Sequence, residues 1–239
     1  MRITREQLVR IRRRHFGYRV TLVLELLMVL LLPLAQQRPW LLSLMLCLLA
    51  VELIVFVSRF SSLRQTRPLI YGLGALAVVM ELVWHLTLVW MPVLGRALTL
   101  PHVIVWVLFL LLAVLRKVKS LIAEPFVTVS VVLGAASGYL TVGIAGGVLL
   151  TALWVWQPSA FVASMLPPLV PGPAADLTVA VAPALMAASF GLLTTVGTSL
   201  LSPSSVTAQV LANVITIAGQ LYVAILIALI LGRVHQRLL

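Results

Sequence analysis

Long apolar segments constrain this chain more than any other feature of its sequence. A helix needs about 20 apolar residues to cross the hydrocarbon core of a bilayer. The chain is 62% hydrophobic and only 10% charged, a composition that soluble domains do not have. The sequence therefore predicts an all-α integral membrane protein with six transmembrane helices and no alternating-strand barrel. The predicted spans are Val20–Ala35, Trp40–Val57, Leu69–Trp90, Pro101–Leu115, Phe126–Trp156 and Val206–Leu231.

Basic residues fall on alternate connections between these spans. The N-terminal arm, residues 1–19, holds seven arginines, and the second and fourth connections and the C-terminus together hold eight basic residues. The first and third connections hold one each, and the fifth holds none. Because basic residues stay on the cytoplasmic side, this predicts a multi-pass protein with both termini cytoplasmic. The net charge of +11 lies at helix ends, where topology and lipid headgroups explain it without nucleic acid.

The N-terminal arm has an amphipathic pattern that suits the surface of a lipid bilayer. Leu8, Val9, Ile11 and Phe16 are its apolar residues, and the arginines lie between and around them. Such a segment lies along an anionic membrane surface. Two roles stay open for the arginines, namely binding of anionic lipid and orientation of the first span.

The fifth connection, Gln157–Pro203, divides into two parts. The first, residues 157–181, is rich in proline and predicts an irregular external turret. The second, residues 182–193, predicts a helix that is too short to span, with Pro183 in its first turn. It leads into TTVGTSLLSP, Thr194–Pro203. Irregular backbone at membrane depth is tolerated only where it lines a wet cavity, so this segment predicts a pore.

The stretch SFGLLTTVGTSLLSP resembles the pore loop of potassium channels, whose filter reads T-V-G-Y-G-D after a short pore helix. The last span resembles the inner helix of small bacterial six-span potassium channels, and SGYLTVGIAGGVLLTALW is similar to their outer helix. The resemblance implies a pore domain over residues 120–239, with the filter at 194–200 and the inner helix at 206–232. A four-helix, sensor-like domain over residues 20–119 precedes it. One loop per chain implies a homotetramer, because a filter ring needs four copies.

The resemblance also assigns roles to individual residues. It places K⁺ or another monovalent cation in the pore and implies no other cofactor. Gly219 takes the position of the hinge glycine in the inner helix. The filter residues are Thr194, Thr195, Val196, Gly197, Thr198 and Ser199. The residues of the inner cavity and gate are Gln220, Val223, Ile227 and Leu231.

The outer half of the filter departs from the family pattern. Thr198, Ser199 and Leu200 stand where the family has Tyr-Gly-Asp. The second glycine of that pattern adopts a positive φ, which a serine resists by roughly 1 kcal/mol or more. The departure predicts either a cation channel with weak selectivity for potassium or a pore-loop scaffold that does not conduct.

Two carboxylates, Glu25 and Glu52, lie in the inner halves of the first two spans. A carboxylate inside a membrane is costly unless it is paired. The basic residues Arg116, Lys117 and Lys119 end the fourth span and have side chains long enough to reach upward to them. The sequence therefore predicts structural ion pairs at the inner face. The fourth span has no arginine before Arg116, so no voltage sensing is predicted.

A third carboxylate, Glu81, lies near the middle of the third span with His85 one helical turn away. A neutral, hydrogen-bonded pair and a proton relay or pH sensor both stay open. A proton-coupled transporter that uses this pair is a further alternative, although no inverted repeat supports it. The chain shows no catalytic arrangement of side chains and no Cys/His cluster for a metal, so it is not predicted to be an enzyme.

Overall fold

A computed structural model describes residues 5–38, 40–60, 67–122, 128–165 and 177–238. Apart from one isolated β-bridge, the regular structure in these ranges is helical, which confirms the predicted all-α class. Short 3₁₀ turns at Pro158–Ala160 and Ala163–Met165 follow α6. The α-helices are α1 (Arg5–Leu30), α2 (Leu32–Gln37), α3 (Trp40–Phe60), α4 (Arg67–Trp90), α5 (Pro92–Ile122), α6 (Val129–Trp156), α7 (Leu177–Leu193) and α8 (Val206–Leu238).

Four helices in the described part of the chain, α4, α5, α6 and α8, are long and apolar enough to cross a membrane. Shorter apolar stretches lie in α3, over Trp40–Phe56, and in α7, over Ala180–Leu193. The spanning segments of the four long helices have a mean hydropathy of 1.7 to 2.6. The chain thus has the long apolar helices of a membrane protein.

The N-terminal arm and most of the first predicted span form one helix. α1 runs without interruption from Arg5 to Leu30, so no boundary separates the arm from the span. The chain turns at Leu31 and resumes as α2, which has Pro33 in its first turn. A proline has no N–H to donate, and a first-turn position needs none, which explains the place of the break. The side chains of residues 1–14 lie outside the described part, so lipid binding by these arginines stays a prediction.

α4 and α5 form an antiparallel hairpin with only Met91 between them. The helix that contains the predicted fourth span begins nine residues before Pro101, because α5 begins at Pro92. Pro92 suits the first position of a helix, where its missing N–H costs nothing. The two helices pack closely near the turn, where a Cβ at Gly95 would lie 2.8 Å from the backbone of Leu88. The predicted third connection is therefore helical.

α6 is the central helix and contacts α1, α5, α7 and α8. In its apolar 18-residue stretch 67% of the residues are buried, against 17% in the corresponding stretch of α8. Glycines allow these close contacts, since a Cβ at Gly134 would lie 2.7 Å from the ring of Tyr18. A Cβ at Gly147 would lie 2.9 Å from the Cα of Met186 in α7. The small residues of α6 thus bring several other helices close to one axis.

The buried apolar side chains form two clusters that share α6. The larger cluster joins α1–α7 and includes Ile144 of α6 and Met186 of α7. The smaller joins α6, α7, α8 and the segment after α6, and includes Leu150 of α6. The part of the chain that precedes α6 and the part that follows it are therefore packed onto a common helix.

Candidate functional site

α7 ends beside the middle of two long helices. Near its start, Gln36 Nε2 of α2 donates to the carbonyl oxygen of Ala180 over 2.8 Å. At its end, the carbonyl oxygen of Leu193 accepts a hydrogen bond from the Tyr139 hydroxyl of α6 over 2.9 Å. The carbonyl oxygen of Leu192 accepts another from Thr216 Oγ1 of α8 over 3.1 Å. Neither Tyr139 nor Thr216 is near an end of its helix, so α7 stops partway along both.

α7 is longer than the predicted helix over residues 182–193. It begins at Leu177, so Pro183 lies inside the helix rather than in its first turn, and the predicted extent of the turret to residue 181 is wrong. Val181 is buried in the cluster that joins α6, α7 and α8. Burial of this apolar turn outweighs the one hydrogen bond that Pro183 removes. Residues 166–176 of the predicted turret lie outside the described part of the chain.

After α7 ends, the chain runs back to the C-terminal end of α6. This is also the end of α6 beside which α7 begins. Gly197 N–H donates to the Gly191 carbonyl over 2.9 Å, so the segment folds back along α7. Farther on, Val162 N–H donates to Leu200 O, and Ser202 N–H donates to Ala160 O, each over 2.8 Å. α7 and the returning segment therefore form a hairpin, defined here as the α7 hairpin, residues 177–202.

The last four carbonyl oxygens of α7 all accept hydrogen bonds. Such groups have no partner inside a helix and need one from elsewhere. Here α6, α8 and the returning segment supply the donors, which fixes the segment to the end of the helix. The pairs are Phe190 O with Thr194 N (3.0 Å), Gly191 O with Gly197 N (2.9 Å), Leu192 O with Thr195 N (3.0 Å) and Thr216 Oγ1 (3.1 Å), and Leu193 O with the Tyr139 hydroxyl (2.9 Å).

Two residues of the returning segment have positive φ angles. Thr195 has φ 64° and is the one described non-glycine residue with a positive value, and Gly197 has φ 86°. A positive φ is a genuine outlier for a β-branched residue such as Thr195. Strain of this kind persists where the surrounding structure imposes it, and it clusters at functional sites. Here the imposed contacts are the hydrogen bonds that Thr195 N and Gly197 N make to the end of α7.

The predicted filter residues lie together on the surface of the chain. Thr194, Thr195, Gly197 and Ser199 are exposed, Val196 is 84% exposed, and Thr198 is half-buried. The positive φ angles stop at Gly197, and Ser199 does not continue them. This is the conformation expected of a residue with a Cβ, and the outer part of the segment is instead held by the bond from Leu200 N–H to Thr198 Oγ1, 3.2 Å.

The predicted cavity residues lie along α8. Gln220 and Ile227 are exposed and Val223 is half-buried, while the side chain of Leu231 lies outside the described part. α8 runs as one helix through Gly219. A Cβ at Gly219 would lie 2.9 Å from the carbonyl oxygen of Leu193, so this glycine lets α8 approach the end of α7. Its role as a hinge stays a prediction.

Glu25 is at the centre of a closed polar cluster that joins α1, α5 and α6. Lys117 Nζ lies 2.7 Å from Glu25 Oε1, 2.8 Å from Ser137 Oγ and 2.7 Å from Thr141 Oγ1, which uses its three protons. Ser137 and Thr141 in turn lie 2.6 and 2.5 Å from the Glu25 oxygens and donate to them. Of the three basic residues expected to reach Glu25, Lys117 is the one that pairs with it. Arg116 is buried on the same helix.

Glu52 contacts a hydroxyl rather than one of the expected basic residues. Its Oε1 atom lies 2.5 Å from Thr21 Oγ1, which also lies 3.0 Å from the carbonyl oxygen of Gly17. Its Oε2 atom is buried and has no hydrogen-bond partner among the described residues. The expected ion pair at Glu52 is therefore not present in the part of the chain that the structure describes.

Glu81 lies in a second cluster with two histidines and a tryptophan. Its Oε2 atom lies 2.5 Å from His102 Nε2 and 2.7 Å from Trp106 Nε1, and its Oε1 atom lies 3.5 Å from His85 Nε2. His85 Nε2 also lies 2.6 Å from Ser43 Oγ. The predicted Glu81–His85 neighbourhood is thus present, but the shorter contact is to His102.

No protein-family model, curated protein or solved structure matches this chain at a significant level. The candidate function therefore has to come from the residues and from their geometry.

Several residues of these clusters cannot be identified from local sequence patterns. His102 and Trp106 reach Glu81 because α4 and α5 fold back on each other at Met91. The signal for this contact is Pro92, which begins α5 immediately after the turn and so sets the register of the hairpin. Tyr139 and Thr216 meet α7 only through packing of distant helices, and no spacing in the sequence indicates it.

Proposed function

We propose that this protein is a homotetrameric cation channel and that the α7 hairpin of each chain supplies one quarter of its filter. The observation that carries the proposal is that α7 stops beside the middle of α6 and α8, and that an exposed, strained segment follows it. In this arrangement α7 is a re-entrant pore helix. α1 with α2 and α3 add two spans to the four long apolar helices.

The backbone of the returning segment supports an ion-binding role. Thr195 and Gly197 have positive φ angles, and Val196 between them does not. Alternation of the sign of φ turns the N–H groups of successive peptides to one side of the segment. The Gly197 N–H donates to the Gly191 carbonyl of α7, and a Cβ at Gly191 would lie 2.5 Å from the Gly197 carbonyl oxygen. In this proposal, the carbonyl oxygens that face the axis are therefore those of Thr195 and Val196. Rings of such carbonyls replace the hydration shell of a monovalent cation such as K⁺.

The direction of α7 also favours a cation. The C-terminal end of a helix carries a partial negative charge. Four copies of α7 that converge on one axis would place these ends around the inner cavity, beside Gln220 of α8. This arrangement attracts cations and disfavours anions.

Exposed apolar side chains next to the segment give a tetramer a surface to bury, just as lipid covers those on the other helices. Val196 is 84% exposed, although it is an apolar residue at the centre of the proposed filter. Along α8, Ile217, Leu221 and Ile225 are also exposed. In a four-fold assembly the neighbouring copies cover these side chains, since a closed ring repeats one interface four times.

The short extent of the positive φ angles favours weak selectivity between K⁺ and Na⁺, and it also supports a second candidate function. The positive φ angles end at Gly197, so the alternation does not extend to Ser199. A filter with only an inner half has fewer rings of oxygen atoms and discriminates less between K⁺ and Na⁺. The second candidate function is a non-conducting pore-loop scaffold, in which this outer segment closes the pore.

Flux from liposomes that contain the purified protein tests the proposal. We expect cation efflux in both potassium and sodium gradients, and selectivity for potassium in the triple variant Thr198→Tyr, Ser199→Gly, Leu200→Asp. The variant Ser204→Gly is a control, because Ser204 is exposed and lies beyond the filter. Flux from the triple variant alone would favour the scaffold. No flux from either protein would contradict a conducting pore.

A further inference from the structure

The Glu81 cluster lies beside a partly open cavity that is lined by residues of α3, α4, α5, α6 and α7. The cavity has a volume of about 50 Å³, enough for a small number of water molecules. Its polar lining comes from Glu81, His102, Ser43, Trp106 and Thr151. Met186 and Ala182 of α7 form part of its opposite wall. The cluster is therefore buried and polar, and it is close to the α7 hairpin.

The two buried carboxylates Glu25 and Glu81 differ in the kind of partner that neutralises them. Glu25 forms an ion pair with Lys117, whose Nζ lies 2.7 Å from its Oε1. The basic groups facing Glu81 in the described part of the chain are the histidines His102 and His85, which carry a charge only when they bind a proton. A buried carboxylate with no positive partner is strongly disfavoured. The site is therefore at its most stable when it holds one additional proton.

Counting the hydrogen atoms in the cluster locates that proton. The one N–H of the Trp106 indole lies 2.7 Å from Glu81 Oε2 and 3.1 Å from His102 Nε2, and the indole cannot accept a hydrogen bond, so it does not supply the hydrogen atom between those two atoms. The distance of 2.5 Å between His102 Nε2 and Glu81 Oε2 also requires a hydrogen atom between them. His102 is 6% exposed, and its second nitrogen, Nδ1, has no hydrogen-bond partner among the described residues. Nδ1 is thus the position that is open to a proton.

We propose that Glu81 and His102 form a proton-binding site beside the cavity. A proton leaves a hydronium ion in water and bonds to His102 Nδ1, and His102 becomes an imidazolium paired with the Glu81 carboxylate. The bound state is neutral overall and the unbound state carries one negative charge.

Other groups that face Glu81 set the surroundings of this site. His85 of α4 approaches the other carboxylate oxygen at 3.5 Å, is one-third exposed and is bonded to Ser43 of α3. The Cys47 thiol of α3 also faces the Glu81 charge. The residues that α6 and α7 contribute to the cavity lining are uncharged, namely Val148, Thr151, Ala182 and Met186. His85 is thus the second proton acceptor of the cluster and the one nearer the surface.

The protonation state of His102 can be measured directly. The chain has four histidines, and ¹⁵N-histidine labelling with solid-state NMR in lipid bilayers separates protonated from bare ring nitrogens. The His102 signals are identified by their loss in His102→Gln. We expect both ring nitrogens of His102 to carry hydrogen at neutral pH, and one to become bare in Glu81→Gln. This measurement does not depend on ion conduction.

Glu52→Gln is the matched control, because Glu52 is a carboxylate of the same group of helices that contacts Thr21 instead of a histidine. We expect it to leave the His102 signals unchanged. A bare ring nitrogen on His102 of the unmodified protein at neutral pH would overturn the proposal, even if Glu81→Gln does not fold. An imidazolium that persists in folded Glu81→Gln would also overturn it, because Glu81 would not be the partner that retains the proton.

Discussion

The hydroxyl of Tyr139 lies 2.9 Å from the carbonyl oxygen of Leu193, the last residue of α7. A side chain of the central helix thereby holds the point at which the α7 hairpin turns. Loss of this one donor leaves a carbonyl group without its partner at the base of the proposed filter.

Tyr139→Phe removes the hydroxyl and keeps the ring. We expect the free energy of unfolding to fall by about 1–3 kcal/mol, because Leu193 O loses its donor. Cation flux in liposomes should also change in rate or in its ratio of potassium to sodium. Tyr222→Phe is the control, since the Tyr222 hydroxyl donates over the same 2.9 Å to Ala135 O of α6 rather than to a carbonyl of α7. A flux change of equal size in the control would contradict a special role for Tyr139.

Thr195→Gly tests the strain at the start of the returning segment. Glycine adopts positive φ without the penalty that a β-branched residue bears, so we expect the free energy of unfolding to rise by about 1 kcal/mol. Cation flux should fall or lose selectivity, because the threonine hydroxyl is removed. Denaturant titration in detergent micelles measures the first effect. Thr194→Gly should instead destabilise, since Thr194 has no positive φ to relieve; equal effects at the two positions would contradict the assignment.

Glu25→Gln and Lys117→Met each break a buried ion pair. We expect each single change to lower the free energy of unfolding by about 3–5 kcal/mol, because it leaves the other charge unpaired among buried groups. The double variant should recover much of that loss, since neither charge remains. Chemical unfolding of the four proteins completes a double-mutant cycle. Additive losses in the double variant would mean that the two charges do not stabilise each other.

Gly219→Ala tests whether this glycine is needed for packing. A Cβ there would lie 2.9 Å from Leu193 O, so we expect a loss of about 1–3 kcal/mol as α8 is pushed away from α7. Gly72→Ala is the matched control, because a Cβ at Gly72 meets nothing within 4 Å. The control should be neutral or up to about 1 kcal/mol more stable, since alanine favours a helix. The thermal unfolding midpoints of the two variants measure these effects. If Gly219→Ala is as stable as Gly72→Ala, the packing role is contradicted and the predicted role as a hinge remains.

Local patterns in the sequence predict some of the polar contacts and miss others. The Glu25–Lys117 pair is within reach of prediction, because a carboxylate in one span and a basic cluster at the end of another must lie at similar depth. The Glu81–His102 contact is not, because it depends on the single-residue turn at Met91. If the fourth span starts at Pro101, His102 lies at one end of that span, whereas Glu81 lies near the middle of the third. The sequence then gives no reason to place the two side chains together.

The sequence by itself determined that the chain is helical and apolar enough to enter a membrane, because hydropathy and helix length are properties of consecutive residues. It also indicated that a short helix and a hydroxyl-rich segment precede the last helix, since prolines, glycine and polar residues interrupt the apolar pattern there. Only the tertiary structure decided that α7 begins at Leu177, that it ends against Tyr139 and Thr216, and that Thr195 has a positive φ. These features come from hydrogen bonds and packing between residues far apart in the chain, whose energies outweigh the local preferences of proline and threonine.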